Sequence, residues 1–440
     1  MPPRLSASLH RVRDLWQRSP FARNVTSTFA VQILTLVFAT LNAAIIGRVL
    51  HSEGKGIVAM AVLVPAIFAL FLSGGLNVAN VYYIGQRRFD TAALTANAMM
   101  FALTATGIGA LVAALLYATG ALNKALPGIP LGLLGLSMLS LPFVLLNSYF
   151  NGILQGLQKI TAVNRVSLLT RGSTLLLTVL LVLVLHWGLT GAVLAVFGSA
   201  VITLLALMRL LQGHGADFRP RWNPLVAKTT LKFGLRGYIA NVLQYFNYRL
   251  DLFLVNLFLG PAGVGIYTVS VAMGEMLWYL PNAVSFVIFP KAANSSHAAM
   301  NRFTPRVFRA TLGLTALGAI ALIFIGRPFI NIVYTSAFSS AYGPMLALLP
   351  GIVLLGGGKV LTNEIAGRGY PQYNSIASGV SLVATVTLDL LLIPRYGVLG
   401  ASLASTLAYS TIFLLALYYY SRVSRLAADA TPATEAVTPL

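Results

Sequence analysis

The chain of 440 residues contains no cysteine, so disulfides and thiolate metal sites are excluded. Charge is also scarce. Asp, Glu, Lys and Arg make up 9% of the residues, against about a quarter in an average soluble domain. A large soluble protein with buried helices needs far more polar surface than that, which removes the soluble class. Acids are the scarcest, 10 against 30 basic residues. No acid-rich metal motif occurs, and the longest loops on the Lys/Arg-poor side run to about a dozen to seventeen residues. An integral-membrane glycosyltransferase or polymerase needs a larger loop carrying catalytic acids, so no catalytic residue, metal ligand or cofactor is expected. Short alternating segments are lacking too, which argues against a membrane β-barrel.

What is present is apolar sequence in long runs. Hydrophobic residues reach 57%, and the mean hydropathy is +0.81. Stretches of 18 or more apolar residues recur, each able to cross roughly 30 Å of hydrocarbon as a helix. They predict an all-α integral membrane protein with twelve spans. In the first half these are 25–47, 56–84, 92–118, 131–155, 162–185 and 189–210; in the second, 233–258, 264–289, 307–325, 343–366, 372–393 and 398–420. Lys and Arg alternate between the two sides. Arg87, Arg88, Lys159, Arg219, Arg221, Lys228, Lys291, Arg302, Arg306, Arg309, Arg422 and Arg425 fall on one side; Arg48, Lys55, Lys124, Arg327 and Arg395 fall on the other. This bias accounts for the net charge of +20 without a nucleic-acid partner and puts both termini in the cytoplasm.

The domain organisation follows from the spans. A basic amphipathic arm, 1–23, shows no cleavage site and sets Trp16 and Phe21 at the interface. Six-helix lobes at 24–211 and 233–420 flank a cytoplasmic linker, 212–232. An Ala/Thr/Pro-rich tail, 421–440, reads as disordered.

The two halves repeat one architecture at an offset of 209 residues. Gly54 and Gly56 open one apolar run, and Gly263 and Gly265 open another; Gly188, Gly191 and Ala192 match Gly397, Gly400 and Ala401. Six crossings per half return the chain to the same side, so the repeat is parallel rather than inverted. Duplicated membrane halves are how many secondary transporters enclose a central site. Pro65, Pro142 and Pro281 predict kinks within spans. Gly351, Gly356, Gly357 and Gly358 either loosen the tenth span or pack it closely.

Polar residues within spans are costly and need a cavity or a partner. Asn164, Ser167, Arg171 and Thr174 share one face of the fifth span; Asn147, Asn151 and Gln155 share one of the fourth. Asn24, Thr28 and Gln32 do the same in the first, and Asn241, Gln244, Tyr248 and Asp251 in the seventh. Such stripes either fix the bundle by interhelical hydrogen bonds or line a wet interior. Arg171, Arg236, Arg249 and Lys359 are the basic candidates for an anionic substrate, because phosphate or carboxylate is drawn to cations in a partly desolvated cavity. Asp251, Glu275 and Glu364 are candidates for ion coupling or charge pairing; Glu275, mid-span, requires a basic partner or a proton. Asp389 reads as structural.

With these residues in view, the chain resembles the polysaccharide transporters, the O-antigen flippase-like proteins of the multidrug/oligosaccharidyl-lipid/polysaccharide (MOP) exporter superfamily. The most specific segment is 248–293, with Arg249-Leu-Asp251, Gly265-Ile-Tyr267, Leu280-Pro281-Asn282-Ala283 and Phe289-Pro290. Looser matches are EGKGIVAM, SGGLNVANVYYIGQRR, NGILQGLQKITAVN, EIAGRGYPQYN and YGVLGASLAS. The resemblance implies two six-helix lobes in a MATE-like V. It implies alternating-access translocation of an oligosaccharide on a polyprenyl pyrophosphate, with the bacterial inner membrane as its location. The lipid would stay between the lobes. The driving force is left open between H+ or Na+ coupling and downstream consumption of the product. Polysaccharide polymerase or export machinery would be a partner. Arg171, Arg236, Arg249 and Lys359, with Asn147, Asn151, Gln155, Gln244 and Tyr248, are the substrate-binding candidates. The alternative is a multidrug or cation antiporter of the same superfamily, which would rely more on buried acids.

Overall fold

The computed structural model describes residues 20–429; the expectations for most of the N-terminal arm and for the end of the tail lie outside these residues. All regular structure within them is helical. The α-helices are α1 (Pro20–Leu72), α2 (Leu76–Gly85), α3 (Thr91–Ala118), α4 (Ala121–Ala125), α5 (Leu131–Met138), α6 (Leu141–Gly156) and α7 (Ile160–Thr178). They continue with α8 (Gly188–Gln212), α9 (Pro224–Glu275), α10 (Tyr279–Ala293), α11 (His297–Val333), α12 (Tyr342–Gly367), α13 (Gln372–Tyr396) and α14 (Val398–Asp429). Ten helical stretches among the described residues are long and apolar enough to cross a membrane.

Two of the ten, Ala30–Leu72 and Asn241–Ala293, run to 43 and 53 residues. At about 1.5 Å per residue each is at least about twice the hydrocarbon thickness. Both contain one residue that leaves helical geometry: His51 at φ 57°, ψ −169°, and Gly260 at φ 68°, ψ −173°. These positions are 209 apart, so the backbone carries the sequence repeat. Gly188 and Gly397, at the same offset, also have positive φ, 54° and 60°.

Of the three prolines expected to kink spans, Pro65 leaves α1 helical, and the other two fall near breaks. Pro142 starts α6, where its missing N–H costs nothing, and the fourth span breaks just before it. A short 3₁₀ turn, Met276–Trp278, precedes Pro281, whose ring displaces the carbonyl four residues back. The glycines of α12 serve close packing. The helix is continuous through them, and a Cβ on Gly351 would lie 2.6 Å from Thr406 Cα, one on Gly357 2.9 Å from Phe308. Between α7 and α8 the chain widens into a π-helix, Val179–Val184, in which Leu185 N–H donates to Leu180 O at 2.9 Å.

The described residues form two compact units. The first comprises residues up to 49, 61–119 and 131–237; the second comprises 50–60, 120–130 and everything from 238 onward. The first is centred on Leu76, Leu94, Leu141, Tyr149, Phe150, Ile153 and Leu207, which α2, α3, α6 and α8 contribute. Gly152 allows α6 to approach α2 so closely that a Cβ would sit 2.5 Å from Asn77 O. In the second, α14 packs along α12 and α13. Large apolar side chains such as Leu176, Phe286 and Phe324 point outward, 71–75% exposed, as lipid-facing residues do.

Candidate functional site

In the first unit α1 and α7 flank an open, polar-lined cavity of about 400 Å³. Thr28, Val31, Gln32 and Thr35 of α1 face Asn164, Ser167, Thr170 and Arg171 of α7 across it. The first-span and fifth-span stripes therefore meet, and Asn164 Nδ2 donates to Thr28 Oγ1 at 2.9 Å. Thr174 departs from its stripe: it donates to Ser199 of α8 at 2.8 Å, and Thr170 bonds Thr203 at 2.8 Å. Thus α7 has one polar edge for the cavity and another for α8. Arg171 is exposed and has neither a hydrogen bond nor an ion pair among the described residues, and no acid lines the cavity.

The fourth-span candidates lie elsewhere. Asn147 Nδ2 donates to Ala200 O at 3.0 Å, tying α6 to α8. The side-chain oxygens of Asn147 and Asn151 are buried without a described partner, and Gln155 is exposed at the helix end. None of the three lines the Arg171 cavity. Arg236 lies on α9, and its side chain is outside the described residues.

The second unit gathers the other candidates. Arg249 donates through both terminal nitrogens to Glu275, at 3.1 and 3.3 Å, so Glu275 has the basic partner that its depth requires. Lys359 Nζ donates to Asn282 Oδ1 at 2.9 Å and lies 4.1 Å from the ring centre of Trp278 and 5.7 Å from that of Tyr248. Gln244 Nε2 donates to Tyr248 Oη at 3.4 Å. Asp251 is buried and accepts from Tyr267 Oη and, at 2.8 Å, from Leu252 N. Glu364 turns away from Lys359 and forms a buried ion pair with Arg368. Asp389 is fully buried, and neither carboxyl oxygen has a described partner.

Several participants escaped the sequence. Arg368 is four residues from Glu364, a readable spacing, but it falls just beyond the predicted end of its span. Trp278 and Asn282 come to Lys359 from 77 or more positions away in the chain, and no local pattern marks that contact.

The family described as polysaccharide biosynthesis protein matches residues 21–296, well over half of the chain. Among curated proteins, a probable low-salt glycan biosynthesis flippase of Haloferax volcanii is 22% identical over 199 residues, 44% of this chain and 42% of that protein. The chain thus aligns with less than half the length of that relative. An uncharacterized membrane protein of Methanocaldococcus jannaschii is 20% identical over 294 residues, 63% of this chain and 69% of that one. In fold, the chain is similar to an inward-facing multidrug resistance MATE family transporter of the MOP superfamily, with TM-score 0.72 and 13% identity over 92% of this chain and 99% of that one. It is equally similar to the lipid II flippase MurJ in an inward closed conformation, with TM-score 0.71 and 15% identity over 92% and 90%. MATE transporters recur among the solved structures that share the fold.

One expectation is overturned. The curated relatives are archaeal, which contradicts a bacterial inner membrane. Hydropathy and Lys/Arg bias report a bilayer, not the lineage of the cell that owns it; what stands is a multi-pass membrane protein. Transport across a membrane, rather than an enzymatic reaction, is what the solved structures sharing the fold have in common. The chain belongs to the polysaccharide biosynthesis protein family, and its fold is that of MATE and MurJ transporters.

Proposed function

We propose that the chain translocates a saccharide carried on a polyprenyl phosphate or pyrophosphate, by alternating access, for cell-surface polysaccharide biosynthesis. The supporting observation is the cavity of the first unit, where among the described residues a guanidinium stands unpaired between amides and hydroxyls with no acid in the lining. Arg171 suits phosphate, which accepts a bidentate guanidinium. Gln32, Asn164 and Ser167 offer both donors and acceptors, as sugar hydroxyls require. A cationic drug would meet like charge there. Within the second unit Lys359 is a further cation, whereas Glu275 there already holds Arg249. Family membership and the archaeal glycan flippase favour the same cargo. The two long kinked stretches each supply two crossings in this reading, which makes twelve in two sets of six. The polymerase or export machinery that consumes the product remains its proposed partner.

A second reading, cation-coupled antiport, is favoured by the fold matches and by Asp389. Asn247 bonds Ser378 O at 2.7 Å and Thr385 at 3.4 Å, setting α9 beside α13; Asp251 and Asp389 each follow one turn later. Two buried carboxyls at that level would take a proton or Na+ to offset their desolvation.

Reconstitution into liposomes with defined polyprenyl-linked oligosaccharides, with and without H+ or Na+ gradients, tests both. Translocation is expected, and Arg171→Ala should lower it by about tenfold or more, as loss of a charge-assisted bond implies. Robust exchange of cationic drugs with no movement of any polyprenyl glycan would replace the first reading by the second.

A further inference from the structure

The kinks at His51 and Gly260 do more than fold two long helices. A Cβ on Gly56 would lie 1.8 Å from the carbonyl oxygen of Pro261, and one on Gly265 would lie 1.9 Å from that of Ser52. Neither site admits any side chain. The offset of 209 maps Ser52 onto Pro261 and Gly56 onto Gly265. The contact is therefore reciprocal: each turn presses its glycine on the carbonyl that the other turn offers from the equivalent position. Such reciprocity is the signature of a two-fold interface, here made inside one chain from its two copies. It requires the two turns to lie on their own local two-fold axis.

All of these residues fall within the second unit, which takes in 50–60 from the first half. The contact is also covered. Gly128 brings a third segment so close that a Cβ there would lie 2.9 Å from Pro261 Cδ, and Asn256 Nδ2 donates to Pro127 O at 3.2 Å. Lys55, between the two glycines of the first turn, is buried with its ammonium 5.4 Å from the Tyr334 ring. His51 holds a backbone conformation that is comfortable only for glycine, and its counterpart Gly260 is a glycine. Non-glycine residues persist there only when the surroundings force them, and they concentrate at moving or functional segments.

We propose that the two turns form a glycine clasp that seals the Lys/Arg-poor side of the protein in this state and must part in the transport cycle, with His51 holding the first-copy turn strained while it is shut. The clasp is independent of which cargo is carried.

The absence of native cysteine makes the test clean. Ile57→Cys places a single thiol in a buried position beside Gly56. Its reaction with a membrane-impermeant maleimide, applied from the Lys/Arg-poor side of proteoliposomes, reports opening and needs no substrate. Failure of the clasp is thus separable from failure of the cargo assignment. Gly56→Leu and Gly265→Leu should each speed labelling by about tenfold or more, the double variant no further, because either bulk parts the same contact. His51→Gly, which fits its backbone, should slow labelling below the parental rate. If the leucine chains do not accumulate, Gly56→Ala and Gly265→Ala carry the same criterion. Unchanged labelling in both folded glycine variants overturns the clasp. So does a change in only one of them, since reciprocity demands both.

Discussion

Arg368 and Glu364 lie four residues apart at the end of α12, with side chains 1% and 0% exposed. Arg368 also donates to Asn301 at 2.8 Å, and Thr304 donates to Glu364 at 3.4 Å, so the pair ties α12 to α11. Removing one partner strands a buried charge, at a typical cost of about 3–5 kcal/mol. Arg368→Met is therefore expected to lower the unfolding temperature in detergent sharply, while Arg368→Met with Glu364→Leu recovers much of the loss. Equal melting of the two would mean that the carboxyl is not stranded. Glu364 is by this account a bracket, which leaves Asp251 and Asp389 as the carboxyls of the proposed antiport reading. The sequence made Glu275 and Glu364 look alike, each an acid in an apolar run. Only distance separates them: one partner is 26 residues away around a bend, and the other is a helical turn away.

At the level of the helix, α7 divides its polar side chains between two tasks. Thr174 and Ser173 bond Ser199 of α8 at 2.8 and 3.0 Å, whereas Asn164, Ser167 and Arg171 face the cavity. Interhelical hydrogen bonds in membranes are worth about 0.6 kcal/mol on average. Thr174→Val should accordingly reduce stability slightly and leave transport unchanged, while Ser167→Val should leave stability unchanged and reduce transport. Paired melting and flux measurements would expose the opposite assignment. The period of 3.6 made the stripe legible, but which neighbour each member meets depends on where α1 and α8 stand, and no local pattern carries that. The glycines of α12 show the same limit. A run of glycine reads equally as hinge or as contact until Thr406 and Phe308 are seen against it.

Across the whole molecule, hydropathy and the 209-residue repeat conveyed most of the architecture, because spans and their duplication are written in composition and spacing. In the proposed twelve-span reading, two spans hide in plain α-helical continuity at His51 and Gly260, where one residue per helix leaves helical geometry. Twelve crossings would put the loop after α2 and the segment before α5 on opposite sides. Single cysteines at Gln86 and Asn123, both exposed, should then react with impermeant maleimide from opposite faces of the membrane. Reaction from the same face would break the two-by-six scheme. Lineage was not legible, since lipid-facing leucine and phenylalanine obey the same physics in any bilayer.

The π-helix at Val179–Val184 bears on how this chain is compared with others. A π-turn accommodates one residue more than the α-helix around it, and the corresponding end of α13 before Gly397 is plain α-helix. One residue more or fewer rotates everything beyond it by about 100°. At 13–22% identity, an alignment that opens its gap anywhere else in this span will assign Arg171 to a neighbour's wrong face. The widened turn marks where a gap belongs, and with it which residues of distant relatives can be compared with the cavity wall.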